Sequence, residues 1–279
     1  MLVTLTSASG APGVSTTALG VTLTAPVAHT LLVEADPAGY SPTLAGYWQG
    51  NVPHSHSLIN LVEADREGRL AEAIHTQIMT LRSDPIGLVT STASVLPGLK
   101  NAAQAEAMRH TWDPLGQRLS AMARDQATLG VVIDAGRFAP ASGNIELWRH
   151  SDVIALMTTP TLAAASAIRS ALVPLRRRLA ASRSNASLGL IVVGDAPAFG
   201  GYPARDFSAA VGIDVIAEIP HAPRHAAIFS ANTRLPRWSL SRSLYLRSVS
   251  TLWSRLEAHY ESHQPDWVLT QQQAGVTRV

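Results

Sequence analysis

Short, continuous apolar runs recur along the chain, separated by longer stretches in which apolar residues return at helical spacing. Leu2–Thr6, Thr30–Glu34, Ile86–Thr90, Leu129–Ile133, Val153–Met157, Leu188–Val193 and Val215–Ile219 read as strands. They do not alternate apolar with polar residues, as expected for parallel strands buried on both faces. Between them, Thr16 to Leu23, Leu58 to Ile78, Ala102–Arg124, Leu162–Ala181, Pro203–Val211 and Ser239 to Tyr260 have helical spacing. Pro26 closes the first helix, and Pro114 is expected to interrupt or bend the third. In the last, Leu246, Val249, Trp253 and Leu256 share one face. This alternation predicts an α/β fold: a mainly parallel sheet of about seven strands with helices on both faces. No internal linker or repeat of fixed period interrupts it, so residues 1–260 read as one domain. The Gln-rich, polar stretch 261–279 reads as a disordered tail.

Composition narrows the class. The chain has 279 residues, 46% of them hydrophobic, yet no apolar run reaches the length of a membrane span. There is no cysteine, which excludes disulfides and thiolate metal sites. The start lacks a basic segment ahead of an apolar run, so a secretion signal is not expected and a cytoplasmic location is. Net charge is +2, but the charges are sorted along the chain. Lys100 is the sole lysine, and no basic side chain precedes Arg66, whereas Glu34, Asp36, Glu63 and Asp65 all do. From His221 to Leu256 there are six arginines and no acid.

The chemistry concentrates in four loops, each following a strand: Gly10–Thr17, Asp36–Gly39, Asp134–Arg137 and Gly194–Pro197. Ligands of open α/β sheets bind at that end of the strands. In the first loop, Gly10-Ala11-Pro12-Gly13-Val14-Ser15-Thr16-Thr17 joins a strand to a helix, the layout in which backbone N–H groups and a helix N-terminus hold phosphate. The phosphate-loop pattern is G-x-x-x-x-G-K-[ST], whose lysine reaches the β- and γ-phosphates. Anchored on Gly10, the pattern puts Thr16 in the lysine place. Anchored on Gly13-Val14 with one residue deleted, it puts Ser15 there. Neither register supplies a lysine. Asp36 and Asp134 each end an apolar strand, where a carboxylate can hold Mg²⁺ with a hydroxyl such as Thr16 as a further ligand. Aspartate after a strand also serves as a turn former or helix cap, and that reading stands beside the first.

Three blocks together resemble the signature segments of the MinD/ParA-like P-loop proteins: Gly10–Leu19, Leu31–Gly39 and Val131–Gly136. They correspond to a deviant Walker A loop, an Asp-Pro switch segment and a Walker B-like strand, and the likeness runs to about Leu256. It implies an ATP- and Mg²⁺-binding homodimer with protein partners. It implies a switch and catalytic role for Asp36 and a Walker B role for Asp134. Thr16, Asp36 and Asp134 would surround Mg²⁺. Asp195 and Pro220 would lie near the base, with Gly10, Ala11, Pro12, Gly13, Val14, Ser15, Thr16 and Thr17 around the phosphates. The departures point the other way. The family's two loop lysines are absent, and Pro12 removes an N–H donor. Weak or absent ATP binding and little hydrolysis are therefore expected. The nearest role by resemblance is that of the CpaE/TadZ-type pilus-assembly localisation proteins.

The arginine-rich segment offers another reading. Arg234, Arg237, Arg242 and Arg247, interleaved with Trp238 and Tyr245, have the composition of a nonspecific DNA-binding face. A solvated helix face is the simpler alternative. His54 and His56 lack a third ligand nearby and read as loop histidines. Glu34 or Asp36 lies at the distance of a ribose-binding acid, which keeps an NAD-type oxidoreductase in view, but no G-x-G-x-x-G precedes it.

Overall fold

The computed structural model describes residues 1–10, 13–81, 92–139, 143–194 and 201–263. Its strands are β1 (Leu2–Ser7), β2 (His29–Glu34), β3 (Met79–Thr80), β4 (Thr92–Leu96), β5 (Leu129–Arg137), β6 (Val153–Thr158), β7 (Ser187–Val193) and β8 (Val215–Ile219). They form one eight-stranded sheet in the order β3-β4-β2-β5-β1-β6-β7-β8. All neighbours pair in parallel except β3, which runs antiparallel to β4 at one edge.

The helices are α1 (Val14–Thr24), α2 (Leu61–Arg66), α3 (Leu70–Gln77), α4 (Trp112–Asp125), α5 (Ile145–Trp148), α6 (Leu162–Ala181), α7 (Ala204–Val211), α8 (Pro223–Ala231), α9 (Arg237–Ser241), α10 (Leu244–Ser250) and α11 (Leu252–Ser262). They divide between the two faces, because successive strand side chains point to opposite sides. Leu31, Val33, Val131, Ile133, Ile154 and Leu156 pack on one side with α2 to α7. Leu32, Val132, Val153, Ala155 and Met157 pack on the other with α1, α8, α10 and α11. Helix α1 has no charged residue and is buried over most of its length, since α8 and α10 cover the side turned away from the sheet.

Several sequence expectations need adjusting. Strand Ile86–Thr90 lies outside the described residues, and the strand found next to β2 is β4. Pro114 does not bend a long helix; it sits in the first turn of α4, where its missing N–H costs nothing. The long C-terminal helix is three helices, α9, α10 and α11, although Leu246, Val249, Trp253 and Leu256 are buried together as expected. Helix α8 has no counterpart in the sequence reading, because Ile228 and Phe229 are its only large apolar residues and adjacent positions make no helical stripe. Most of 261–279 lies outside the described residues.

Candidate functional site

Strand β1 stands between β5 and β6, so the chain leaves its carboxyl end into the crevice where the connections diverge. Gly13 opens α1 with a φ of 84°, a left-handed conformation natural to glycine. No side chain caps this helix end, so its first-turn N–H groups and positive dipole end face the loop. The Ser15 hydroxyl donates to Asp134. The sequence reading had placed Thr16 beside the strand-end carboxylates. One residue along the helix turns the side chain by about a quarter turn, so Thr16 lies in the walls of two cavities instead. Thr17 is buried, and Val14 packs into the core beneath α1.

Three carboxylates converge here. Asp134, in β5 and 1% exposed, accepts the Gly136 N–H at 3.1 Å. Burial pushes its pKa up to about 7, with Glu34 and Asp36 adding to the rise and the Ser15 and Gly136 bonds opposing it. Asp36 follows β2 and accepts the Ala38 N–H at 2.8 Å; burial raises its carboxyl as well. Gly136 has a φ of 61°, and a Cβ there would fall 2.1 Å from the Asp36 carboxyl carbon, so only glycine lets the two loops approach. Asn144 ties them from behind, donating to Ala35 O at 3.0 Å and Ala135 O at 3.3 Å.

Glu34, one of the two acids read as a ribose-binding candidate, is held inside the fold. It is 2% exposed and accepts from the Ser41 hydroxyl, the Thr43 N–H at 2.8 Å and the Gly98 N–H at 3.0 Å. Burial raises its pKa against those bonds. Its oxygens hold the loop after Asp36 and the turn after β4. The signal in the sequence was an acid closing an otherwise apolar strand.

Two cavities flank the first turn of α1. One, of about 260 Å³, lies between Gly13, Thr16, Thr159, Pro220, Ala222 and Tyr245, so Pro220 is brought to α1. The other, of about 340 Å³, lies between Ser15, Thr16, Tyr40, Pro42, Thr43 and Phe229. No described lysine or arginine lines either one. Ala11, Pro12 and Asp195, named as candidates from the sequence, lie outside the described residues.

No protein-family model matches the sequence, and no curated protein matches it. Solved structures match the fold. The septum site-determining protein MinD of Pyrococcus horikoshii OT3, complexed with Mg-ADP, has a TM-score of 0.66 at 14% identity, covering 94% of this chain and 98% of that one. The ParA family ATPase of Chlorobium tepidum TLS has a TM-score of 0.62 at 16% identity, over 91% of this chain and 98% of that one. MinD in the MinC:MinD cell division complex of Aquifex aeolicus gives 0.64 at 12% identity, over 92% and 96%. This is the MinD/ParA fold.

Within that MinD/ParA fold the remaining candidates lie apart from the loop. Arg234 precedes α9, Arg237 opens it, Arg242 follows it and Arg247 is in α10; all four are exposed. None takes part in an ion pair among the described residues. Trp238 among them is 70% exposed. His54 bonds the Gly98 carbonyl at 2.9 Å, and among the described residues no group of three His, Asp or Glu side chains is placed to hold a metal. No described helix is long and apolar enough to cross a membrane.

Proposed function

We propose that this chain is a MinD/ParA-like protein whose nucleotide site keeps the backbone half of the phosphate cradle and lacks the cationic half. The observation behind this is the register that Gly13 and Ser15 suggest. If Gly13 is the glycine that opens the helix and Ser15 the hydroxyl beside the strand-end carboxylate, the G-x-x-x-x-G-K-[ST] pattern runs from Ala8 to Ser15. Val14 then stands in the lysine place and is buried in the core. Ser15 and Asp134, with Asp36 beside them, are a donor set that suits Mg²⁺, and the α1 N-terminus suits phosphate. A buried charge-assisted contact to phosphate contributes about 1.5–3 kcal/mol, so its loss costs about one to two decades of affinity. Rate suffers more, because phosphoryl transfer is stabilised mainly by positive charge around the transferring group.

The role that follows is a dimeric localisation or assembly factor in the cytoplasm, serving a pilus or secretion machinery through protein partners, as MinD is found with MinC in one structure of this fold. Calorimetric titration with Mg-ATP tests the site. The native chain is expected to bind weakly or not at all, and Val14→Lys to gain affinity where Ser15→Lys does not. Robust ATP turnover by the native chain would overturn the reading.

A second reading rests on the exposed, unpaired Arg234, Arg237, Arg242 and Arg247, which favour a nonspecific DNA-binding, ParA-like partitioning role. It requires duplex binding that weakens steeply with salt, with a shallower salt slope in Arg242→Ala/Arg247→Ala. No binding at low salt removes it. For an NAD-type oxidoreductase, the bonds that hold Glu34 within the fold leave Asp36 as the candidate ribose-binding acid.

A further inference from the structure

A third cavity lies at the opposite end of the sheet. It has a volume of about 360 Å³ and lies where β6 and β7 begin, between Arg124, Arg149, Asp152, Arg183, Asn185 and Tyr260. Strand β6 separates it from the loop at α1: Asp152 precedes the strand at one end and Thr159 follows it at the other. At about 3.3 Å per residue the two sites stand roughly 20 Å apart.

Its cations differ in how far they are engaged. Arg149 is neutralised by Asp113 at 2.6 Å and Glu146 at 3.2 Å and forms a wall. Arg124 donates to the Ser120 hydroxyl at 2.7 Å and has no carboxylate partner among the described residues. Arg183 has no ion pair among them either, and its backbone is unusual. It follows the C-cap of α6 at a φ of 53°, with the Ser184 N–H closing on Leu179 O at 3.0 Å. Glycine is the usual residue at that position, because a side chain there strains the left-handed backbone. An arginine in that strained position points to a use for its guanidinium.

Ser182, Ser184 and Asp152 supply acceptors to the cavity. The Ser182 hydroxyl donates to Arg178 O and Leu179 O, both at 3.0 Å, and the Ser184 hydroxyl donates to Arg149 O at 2.6 Å. With those protons engaged, both hydroxyls can only accept from a ligand. Asp152 uses one oxygen on the Leu2 N–H at 2.7 Å and keeps the other. Tyr260 stands close enough to both Asp152 and Arg124 to feel their charges. Two guanidinium groups with no carboxylate partner among the described residues, beside a set of acceptors, suit a ligand with an anionic head and several hydroxyl donors. The volume is at the lower end of the range for small-molecule sites.

We infer that the cavity bounded by Arg124, Arg183, Asp152 and the Ser182–Ser184 turn binds a small soluble phosphorylated polyol, the arginines taking the phosphate and the acceptors its hydroxyls. The test is calorimetry on the full chain with ribose 5-phosphate, inorganic phosphate and ribose. Ribose 5-phosphate is expected to bind more tightly than inorganic phosphate, and ribose to give no signal. Arg124→Gln and Arg183→Gly should each weaken ribose 5-phosphate at least tenfold, with Arg183→Gly melting no lower than the native chain. Ser15→Ala, at the other end of the sheet, should leave that binding unchanged. The inference is overturned by absence of ribose 5-phosphate binding at millimolar concentration, by equal binding of ribose, by arginine variants that bind normally, or by loss of binding in Ser15→Ala.

Discussion

The two ends of the same sheet differ in charge. At the carboxyl end, Glu34, Asp36 and Asp134 crowd beside a helix opened by glycine, and the cavities there have no described lysine or arginine in their walls. At the amino end, Arg124, Arg149 and Arg183 border a polar cavity. Titration follows the surroundings. Burial and mutual repulsion push the carboxyl-end acids up. Near the other end, Asp113 is held below its ordinary value by His150 and Arg149, although desolvation pulls the opposite way. The comparison separates two things that a working phosphate loop combines, the backbone geometry of the cradle and the charge that neutralises an anion. Here a helix opened by glycine stands at one end of the strands, beside cavities with no described lysine or arginine in their walls, and the arginine-lined cavity is at the other.

The largest expected effect lies with Asp134. Its folded pKa of about 7 is above the unfolded value of 3.8, so the stability tied to its proton is complete below pH 3.8 and is lost as pH rises through about 7. At 1.36 kcal/mol per pH unit this amounts to about 4 kcal/mol across the window. Urea denaturation as a function of pH should show native and Asp134→Asn stabilities diverging by that amount between pH 3.8 and about 7, and running parallel above it. Profiles parallel across that window would mean that Asp134 is solvated and the carboxyl end is not the dry acidic cluster described.

Glu34→Ala comes next. It removes the acceptor for Ser41, Thr43 and Gly98 and leaves two buried N–H groups unpaired, costing about 3 kcal/mol. Glu34→Gln should cost less, and a denaturation midpoint unmoved by Glu34→Ala would show that the loop after Asp36 is held by other contacts. Ser15→Ala removes the hydroxyl that lowers the Asp134 pKa, so the pH transition should move upward, at a cost of about 1 kcal/mol at neutral pH. A downward movement would separate Ser15 from Asp134 and undo the register with Val14 in the lysine place. The smallest effect belongs to the amino end. Arg183→Gly relieves a left-handed backbone and should stabilise the fold by about 1 kcal/mol or less, read as a rise in melting temperature. A clear loss of stability instead would make Arg183 a structural residue.

Much of the architecture was legible in single stretches of sequence. Helix α6 occupies the span its spacing predicted, and β1, β2, β6, β7 and β8 lie within a residue or so of their apolar runs. Burial on both faces imprints strands without needing a partner to be known. Elements stabilised by contacts with the rest of the fold were harder to read. Edge strand β3 is two residues long and has no local pattern. The breaks between α9, α10 and α11 were invisible because the apolar face continues across them.

By itself, the sequence determined the alternation of strands and helices, the glycine-opened loop after β1, the absence of a lysine there and the sorting of acids from arginines. These follow from local periodicity and from composition, which do not depend on what packs against what. The tertiary structure alone decided which hydroxyl meets Asp134, because one residue along α1 turns a side chain through about 100°. It also turned Glu34 inward as the anchor of the loop after Asp36, and gathered Arg124, Arg149 and Arg183 from three separate segments around one cavity. Those facts depend on distances between residues far apart in the chain, and only the packing of helices onto the sheet sets such distances.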